Sequence, residues 1–435
     1  MVAKVAAATE RLASFVCHSS PPPEVREHLT KALANWIAVA VHAVTSPEGD
    51  SWRRFWRSAG AGEGLAIGLG RGVWERAAFL NAALAHVDDY DDTHLATMTH
   101  PATPVIGAGV AVLNASHSWE QFLDAVAIGT EVTIGVAALL GPDHYARGWH
   151  VTATAGTWGA AAAAARLLAL GPAAVAHALS LGGLQAAGLR CAFGSRGKAF
   201  QVGHAAGAGV VAALAAAAGV DGPLDLVEHP RGLAVVTAEM HRSVLDGLGV
   251  SWRVLEDTFK PYPTGIVTHP AIEAAVTLFR QGMDASKIER VQAEVHPLVL
   301  ELTDKPQIAT PLDLKFSARY LVALALRTGR VEGSGGADRI DPEVRALAEK
   351  VDLLPQASRG RDSARVRVVM RDGQVRESEV AHADGSASRP LSWARLQEKY
   401  AVLTARVPRE VRDAVWRALT SREGAPREVL EALQA

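Results

Sequence analysis

The sequence contains very little cysteine. Cys17 and Cys191 are the only two among 435 residues, and neither has a neighbouring cysteine or the spacing of a metal site. Two cysteines cannot form a disulfide framework for a chain of this length, which excludes a disulfide-stabilised scaffold. We expect both side chains to be small buried hydrophobic groups.

The chain also lacks an excess of charge of either sign. Lys and Arg total 44, Asp and Glu total 46, and the net charge at pH 7 is -2, with the basic residues spread along the sequence. This balance gives no electrostatic reason to expect a nucleic acid or a membrane surface as partner.

A long run of strongly apolar residues is missing as well. Glu10 and Arg11 interrupt the N-terminal segment, which therefore does not resemble a secretory signal. The least polar stretch, residues 202–220, consists mainly of Ala and Gly and includes His204. Small residues allow helices to approach closely, so this stretch predicts a buried helix and not a membrane span. We expect a cytoplasmic protein.

What the sequence does contain is helical periodicity. Up to about residue 265, Ala-rich segments repeat apolar residues at three- and four-residue spacing, with Gly or Pro at their ends. Residues 286–302 alternate like a strand, and residues 363–385 predict a hairpin that turns at Asp372–Gly373.

These patterns predict a mainly α protein of more than one domain, because 435 residues exceed the usual size of a single core. We predict a large all-helical domain over residues 1–265. A smaller α+β domain over 266–403 is inserted before C-terminal helices over 404–435, which pack on the large domain.

The densest polar cluster is HVDDYDDTHLATMTHP, residues 86–101. It has the composition of a charged surface loop. Asp88–Asp92 also match the DDxxD pattern of magnesium-dependent isoprenoid diphosphate enzymes, although no second acidic cluster follows.

A zinc or iron site would draw on histidine and carboxylate side chains of this cluster, but no HExxH spacing supports one. The candidate ligands are His86, Asp89, His94 and His100.

The segment NAALAHVDDYDDT followed by HP resembles the MmgE/PrpD family, which includes 2-methylcitrate dehydratase, cis-aconitate decarboxylase and iminodisuccinate epimerase. Further segments resemble the family in the same order. They are RGWHVTATAG, GSRGKAFQVGHAAG, KPYPTGIVTHP, LKFSARYLVALALRTG and SRPLSWARLQEKY.

The resemblance implies an active site that works without a metal or a cofactor. The catalytic residues it implies are Asp89, His100, His150, Lys198 and His269, and the substrate-binding residues are Thr93, Lys260 and Tyr320. Two departures bear on substrate choice. Gln201 stands where many members have His, and Thr264–Gly265 stands where many have Cys.

Elimination or decarboxylation of a polycarboxylate needs cationic groups for the carboxylates, a base near neutrality and an acid. Histidine and lysine suit these tasks because burial and neighbours shift their pKa values readily. Asp89 and Thr93 are four residues apart and would share one face if they lay on a helix, where Asp89 could orient a histidine. Taken singly, each residue has a structural explanation, so we expect the set to converge in one pocket.

The resemblance therefore implies a cofactor-independent lyase that acts on a small di- or tricarboxylate by acid–base catalysis. It favours a 2-methylcitrate dehydratase-like dehydration, with decarboxylation of the cis-aconitate type or epimerisation as alternatives. The short gap between Thr93 and His100 is similar to that of decarboxylase-type members. Family members are commonly homodimers, and we expect the same here.

Overall fold

The computed structural model describes residues 8–233, 240–305, 308, 311–331 and 340–433. Its contacts divide the described chain into two compact units. Unit 1 comprises Met1–Val87, Asp91–Asp257 and Ser392–Ala435, and unit 2 comprises Asp88–Tyr90 and Thr258–Leu391. The sequence predicts the main divisions at residues 265 and 403.

Unit 1 is built mainly from helices, as the Ala-rich periodicity predicts. In chain order they are α1 (Ala8–His18), α2 (Pro23–Thr45), α3 (Asp50–Trp56), α4 (Trp74–His86), α5 (Ala102–Val112), α6 (Trp119–Ala146), α7 (Val151–Leu167), α8 (Pro172–Leu184) and α9 (Gly197–Ala217). Short strands accompany them: β1 (Gly64–Ala66), β2 (Gly70–Gly72) and β3 (Asp92–Thr93). Strands β1 and β2 pair antiparallel.

The core of unit 1 depends on small residues where helices cross. Gly129 of α6 faces Gly159 of α7, and a Cβ added at Gly129 would lie 2.6 Å from the Gly159 carbonyl oxygen. Helices α6 and α9 are long and apolar enough to span a membrane by length and composition alone. In their most apolar windows, 89% and 67% of the residues are buried within the protein, as in core helices.

Unit 2 combines helices with a sheet. Its elements are β4 (Thr258–Phe259), α10 (His269–Arg280), β5 (Ile288–Val295), α11 (Leu298–Thr303), α12 (Pro311–Leu314), α13 (Ala318–Thr328), α14 (Pro342–Ala348), β6 (Val351–Pro355), β7 (Ala364–Met370) and β8 (Val375–Val380). Four strands form a sheet in the order β6-β5-β7-β8. Strands β5 and β6 are parallel, and the other pairs are antiparallel.

The predicted hairpin is confirmed. Strands β7 and β8 pair antiparallel, and Gly373 between them has a φ of +81°, a left-handed conformation that favours glycine. The strand predicted over residues 286–302 is confirmed only as far as Val295, because α11 follows it.

The last segment of the chain returns to unit 1 as α15 (Trp393–Leu403), α16 (Arg409–Ser421) and α17 (Pro426–Glu431). Lys399 of α15 donates to the Asn35 side chain of α2 at 2.6 Å. Arg427 of α17 donates to the Leu113 carbonyl oxygen at 2.8 Å and to the Glu63 carbonyl oxygen at 3.0 Å.

The expectation that both cysteines are buried is wrong. Both are free thiols, but Cys17 is half-buried and Cys191 is exposed. Cys191 lies in a short 3-10 helix, Arg190–Ala192, which precedes α9 and contains no buried residue.

Candidate active site

Three of the predicted site residues lie at helix N-termini in unit 1. His100 lies two residues before α5, His150 is the N-cap of α7, and Lys198 is the second residue of α9. The Nζ atom of Lys198 lies 3.5 Å from Nε2 of His100. Helix N-termini carry unpaired N–H groups and partial positive charge, so this arrangement favours an anion.

His86, the last residue of α4, completes the group. Its ring centroid lies 4.6 Å from that of His100 and 6.0 Å from that of His150. His86 and His150 are each only 2% exposed. His86 is not among the site residues that the family resemblance implies, so the structure adds it to the cluster.

Asp91 connects two of these imidazoles. Its carboxylate accepts from Nδ1 of His86 at 2.7 Å and from the Thr103 hydroxyl at 2.7 Å, and it lies 3.1 Å from Nδ1 of His100. Burial by itself raises a carboxyl pKa, but His100 and His86 outweigh it and hold the pKa of Asp91 well below its ordinary value. Asp91 is therefore an anion that accepts from His86 and lies close to the Nδ1–H of His100.

Asp92 has a different role from its neighbour. One carboxylate oxygen accepts from the Ala102 backbone N–H at 2.7 Å at the start of α5, and the other lies 2.9 Å from the Thr103 hydroxyl, whose single proton it shares with Asp91. Burial and the charge of Asp91 raise the pKa of Asp92 to about 6. It holds the segment before α5 against the helix that follows it.

Hydrogen bonding determines which nitrogen of His100 carries a proton. Nδ1 donates to the Asp92 carbonyl oxygen at 2.7 Å, because a carbonyl can only accept. In the neutral ring, Nε2 is then an acceptor that faces the ammonium of Lys198. The His100 backbone N–H donates to the Thr152 hydroxyl at 3.0 Å, which ties the segment to α7.

His86 and His150 are neutral imidazoles with unpaired acceptor nitrogens. Burial, with a smaller effect from Lys198, lowers the pKa of His86 to about 4 and the pKa of His150 well below its ordinary value. Nδ1 of His86 donates to Asp91, and Nδ1 of His150 donates to the Gln201 side-chain oxygen at 2.9 Å. Among the described residues, Nε2 of each ring has no hydrogen-bond partner.

The expectation that Asp89 and Thr93 share a helix face is wrong. Helix α4 ends at His86, and Asp89 has a φ of +53°, a left-handed conformation that Asp tolerates better than most residues. Thr93 lies in the short strand β3, where its hydroxyl is 3.4 Å from Nδ1 of His100. Thr93 therefore contacts His100 from a strand, and not from a helix face shared with Asp89.

The other predicted residues lie in unit 2. Lys260, which is 1% exposed, donates to the Asp89 carboxylate at 2.9 Å and to the Asp89 carbonyl oxygen at 2.7 Å. Lys315 makes the corresponding pair with Asp88, with 2.8 Å to its carboxylate. The sequence interpretation did not identify Lys315.

The acidic segment is thus engaged by protein cations and donors. Asp88 and Asp89 pair with lysines in unit 2, whereas Asp91 and Asp92 accept from groups of unit 1. A magnesium-binding DDxxD motif presents its carboxylates on one helix face toward a diphosphate, and this segment is not helical. The geometry does not support the isoprenoid interpretation.

His269 and Tyr320 are both buried in unit 2. His269 begins α10, its Nε2 lies 3.3 Å from the Thr264 carbonyl oxygen, and its ring makes an edge contact with Tyr262 at 5.4 Å. The Tyr320 hydroxyl accepts from the Asp341 backbone N–H at 3.1 Å. That bond lies at the N-terminus of α14, so Tyr320 is a core residue whose hydroxyl has a hydrogen-bond partner. A role in substrate binding stays a prediction for both residues.

His94 is separate from the cluster in unit 1. Its Nδ1 bonds to the Thr97 hydroxyl at 2.8 Å, and its Nε2 lies 3.6 Å from the Glu256 carboxylate. Burial lowers the pKa of His94 to about 4. Of the four metal-ligand candidates that the sequence suggested, His94 is therefore directed away from the other histidines by its own bonds.

The polar groups that the sequence interpretation missed had weak signals. Thr103 and Thr152 each lie in the first turn of an apolar helix, and nothing in their spacing marks them. Asp91 lies inside the motif that carries the family resemblance, but the sequence does not say which aspartate faces the imidazoles.

The fold and this cluster define a mainly helical protein with some sheet, whose buried imidazoles and ammonium group are suited to acid–base chemistry on an anion. The family model of the MmgE/PrpD N-terminal domain matches residues 10–246, and that of the MmgE/PrpD C-terminal domain matches residues 262–422. The chain belongs to the MmgE/PrpD family.

Curated relatives carry a common name. The cis-aconitate decarboxylase of Homo sapiens is 27% identical over 356 residues, which cover 74% of this chain and 71% of the relative. The cis-aconitate decarboxylase of Mus musculus is 24% identical, with 74% and 70% covered. That of Aspergillus terreus is 25% identical, with 77% and 76% covered.

Proposed function

We propose that this chain is a cofactor-independent lyase that acts on a small tricarboxylate, and that its reaction is a decarboxylation of the cis-aconitate type. The observation that carries the proposal is the cluster in unit 1. It places two buried neutral imidazoles beside the ammonium of Lys198, and their Nε2 atoms have no hydrogen-bond partner within the described ranges. The names of the relatives support the choice of reaction.

Binding of an anionic substrate follows from the charges. Lys198 supplies an ammonium group, and the starts of α5, α7 and α9 add partial positive charge at His100, His150 and Lys198. Carboxylates attract such groups strongly when the site excludes water.

In a decarboxylation, the bond between the substrate carbon and the departing carboxylate breaks and carbon dioxide leaves. The electron pair remains on the substrate, where conjugation with the double bond and another carboxylate stabilises it. A proton then adds to carbon. The Lys198–His100 pair is the proton source we propose, since the ammonium faces Nε2 of the imidazole at 3.5 Å.

Dehydration of a 2-methylcitrate-like hydroxy acid is the second candidate, and a specific observation favours it. The unpaired Nε2 of His150 is an acceptor, as a base that removes a proton alpha to a carboxylate must be. The hydroxyl group would leave as water after taking a proton from the Lys198–His100 pair. Epimerisation would use the same base without loss of a group.

The test is an NMR assay of the purified protein in deuterated buffer with citrate, 2-methylcitrate, cis-aconitate and iminodisuccinate. We expect loss of carbon dioxide from cis-aconitate with one deuterium incorporated at carbon. Loss of water from a hydroxy acid would select dehydration instead, and exchange without net loss would select epimerisation. No turnover of any of the four acids would contradict the proposed function.

The same assay tests the residues. In Lys198→Ala we expect turnover to fall by about 100-fold or more, because the ammonium group both binds and donates. Lys287→Ala is the matched control, since that side chain is 70% exposed and lies in unit 2. Full activity of Lys198→Ala would contradict the site assignment. Activity that persists in EDTA is expected for chemistry without a metal, whereas diphosphate chemistry would be lost.

Asp89, Lys260, His269 and Tyr320 remain proposed site residues, each open to substitution in this assay. We also propose that the protein acts as a homodimer in the cytoplasm, without nucleic acid or membrane as partner. Sedimentation would then give about twice the chain mass of 45.8 kDa.

A further inference from the structure

Gln201 lies one helical turn after Lys198 on α9, with its side-chain oxygen 2.9 Å from Nδ1 of His150. Its amide nitrogen donates to the Leu189 carbonyl oxygen at 3.2 Å. Because that carbonyl can only accept, the amide nitrogen faces Leu189 and the oxygen faces His150. The amide of Gln201 is therefore held in one orientation.

The backbone around this pair is held too. Trp149 and Leu189 form a β-bridge, and the His150 backbone N–H donates to the Gly188 carbonyl oxygen at 3.0 Å. Gly188 has a φ of +131°, and a Cβ added there would lie 2.7 Å from the Ala153 Cβ. The segment that presents the Leu189 carbonyl is thus packed directly against the start of α7, which carries His150.

The consequence for His150 is a defined tautomer. An oxygen acceptor at Nδ1 requires the proton to be there, which leaves the lone pair of the neutral ring on Nε2. Nε2 is buried and has no hydrogen-bond partner among the described residues. Phe193 packs edge-on against the ring at a centroid distance of 5.0 Å and limits its rotation.

We propose that Gln201 is a positioning residue that sets the tautomer and orientation of His150, so that Nε2 is the proton acceptor of the site. As a statement about catalysis, this rests on the dehydration or epimerisation form of the proposed function, in which Nε2 of His150 removes a proton alpha to a carboxylate. A glutamine amide does not titrate, so it holds the same tautomer at every working pH. A histidine at position 201 would change its own charge and its acceptor capacity near neutrality.

The first experiment needs no substrate. The resting protein is labelled with ¹⁵N-histidine, and the His150 signals are assigned by their absence in His150→Asn. We expect a protonated Nδ1 and an unprotonated Nε2 at pH 7, and loss of that preference in Gln201→Leu. A protonated Nε2 in the wild-type protein, or an unchanged tautomer in Gln201→Leu, would overturn the proposal. This result stands whether or not a tricarboxylate is turned over.

The second experiment measures kcat and KM against pH. With a hydroxy acid as substrate, we expect kcat of Gln201→Leu to fall about tenfold or more with KM within about twofold. His150 then no longer presents Nε2 reliably as the base, whereas substrate binding is kept. Gln185→Leu is the control, because in the described part of the chain that side chain donates to the Leu181 and Ala208 carbonyl oxygens and not to His150. In Gln201→Glu the carboxylate raises the pKa of His150, so the acid limb of the kcat/KM profile moves to higher pH. An acid limb in Gln201→Glu that does not move, or wild-type kcat in Gln201→Leu, would contradict the role.

Discussion

At the residue scale, unit 1 buries ionisable groups whose charge depends on their neighbours. Asp91 stays ionised because imidazole N–H groups face it, whereas Glu131, in the middle of α6, has only backbone N–H donors among the described residues. The Glu131 carboxylate accepts from the Val254 backbone N–H at 2.9 Å and is fully buried. Burial raises the pKa of Glu131 to about 7. A folded protein therefore retains this proton over a range in which the unfolded chain releases it.

Glu131→Gln should make stability less dependent on pH. The pKa of Glu131 is about 7 in the folded protein and has an ordinary value of 4.5 in the unfolded chain. The free energy of unfolding of the wild type therefore falls by about 3 kcal/mol in total as pH rises from below 4.5 to above 7. Glutamine keeps the acceptor for Val254 and cannot ionise. Urea unfolding should show that the free energy of unfolding of the variant, relative to that of the wild type, is higher at pH 8 than at pH 5. Glu120→Gln, whose side chain is 70% exposed, should show no such gain. Equal pH dependence in Glu131→Gln and the wild type would show that the buried carboxyl is not protonated.

At the element scale, helix starts and helix crossings determine the site. The starts of α5, α7 and α9 bring His100, His150 and Lys198 together. Helix α6 packs closely against α7, which carries His150. At Gly129, an added Cβ would lie 2.6 Å from the Gly159 carbonyl oxygen. At Gly135, six residues later in α6, an added Cβ would make only ordinary contacts, at 3.6 Å and 3.8 Å, with two leucine methyl groups.

Two alanine substitutions in the same helix should therefore have opposite effects. Gly129→Ala should lower the free energy of unfolding by about 1–3 kcal/mol, because the backbone of α7 cannot move aside cheaply. Gly135→Ala should raise it by up to about 1 kcal/mol through helix propensity. Denaturant unfolding of both variants provides the measurement. A Gly129→Ala variant as stable as Gly135→Ala would mean that the two helices are not in close contact.

At the scale of the whole molecule, unit 1 is assembled from distant parts of the chain. Arg427 of α17 is 8% exposed and donates to the carbonyl oxygens of Leu113 and Glu63, which are 314 and 364 residues away in sequence. Lys399 links α15 to α2 in the same way. The C-terminal helices therefore complete a core that the N-terminal segment begins.

Arg427→Met should destabilise unit 1, because it removes the donor to the buried Leu113 carbonyl oxygen and the bond to the Glu63 carbonyl oxygen. We expect a loss of about 1–3 kcal/mol. Hydrogen exchange should accelerate in residues 8–87 and 392–433 more than in 258–391, which belong to unit 2. Arg417→Met, at an exposed position on α16, is the control and should leave exchange unchanged. Equal acceleration in both units would show that they unfold together.

Local sequence determined much of this protein. Helices form where small and apolar residues recur at helical spacing, and the hairpin turns at Asp372–Gly373, because both depend on nearby residues. The motif segments identified the family and predicted His100, His150 and Lys198 as site residues, and the structure brings these three side chains together. The end of α4 at His86 was not predicted, since the left-handed conformation of Asp89 accompanies its bonds to Lys260, 171 residues away.

Only the tertiary structure decided which polar groups face one another. The sequence presents four aspartates within five residues, and long-range contacts distribute them between lysines of unit 2 and imidazoles and hydroxyl groups of unit 1. Protonation and tautomer depend on burial and on acceptors from remote segments, as Gln201 and Leu189 show at His150. These quantities have no local signature, because electrostatic energies depend on distance in space and not on separation along the chain.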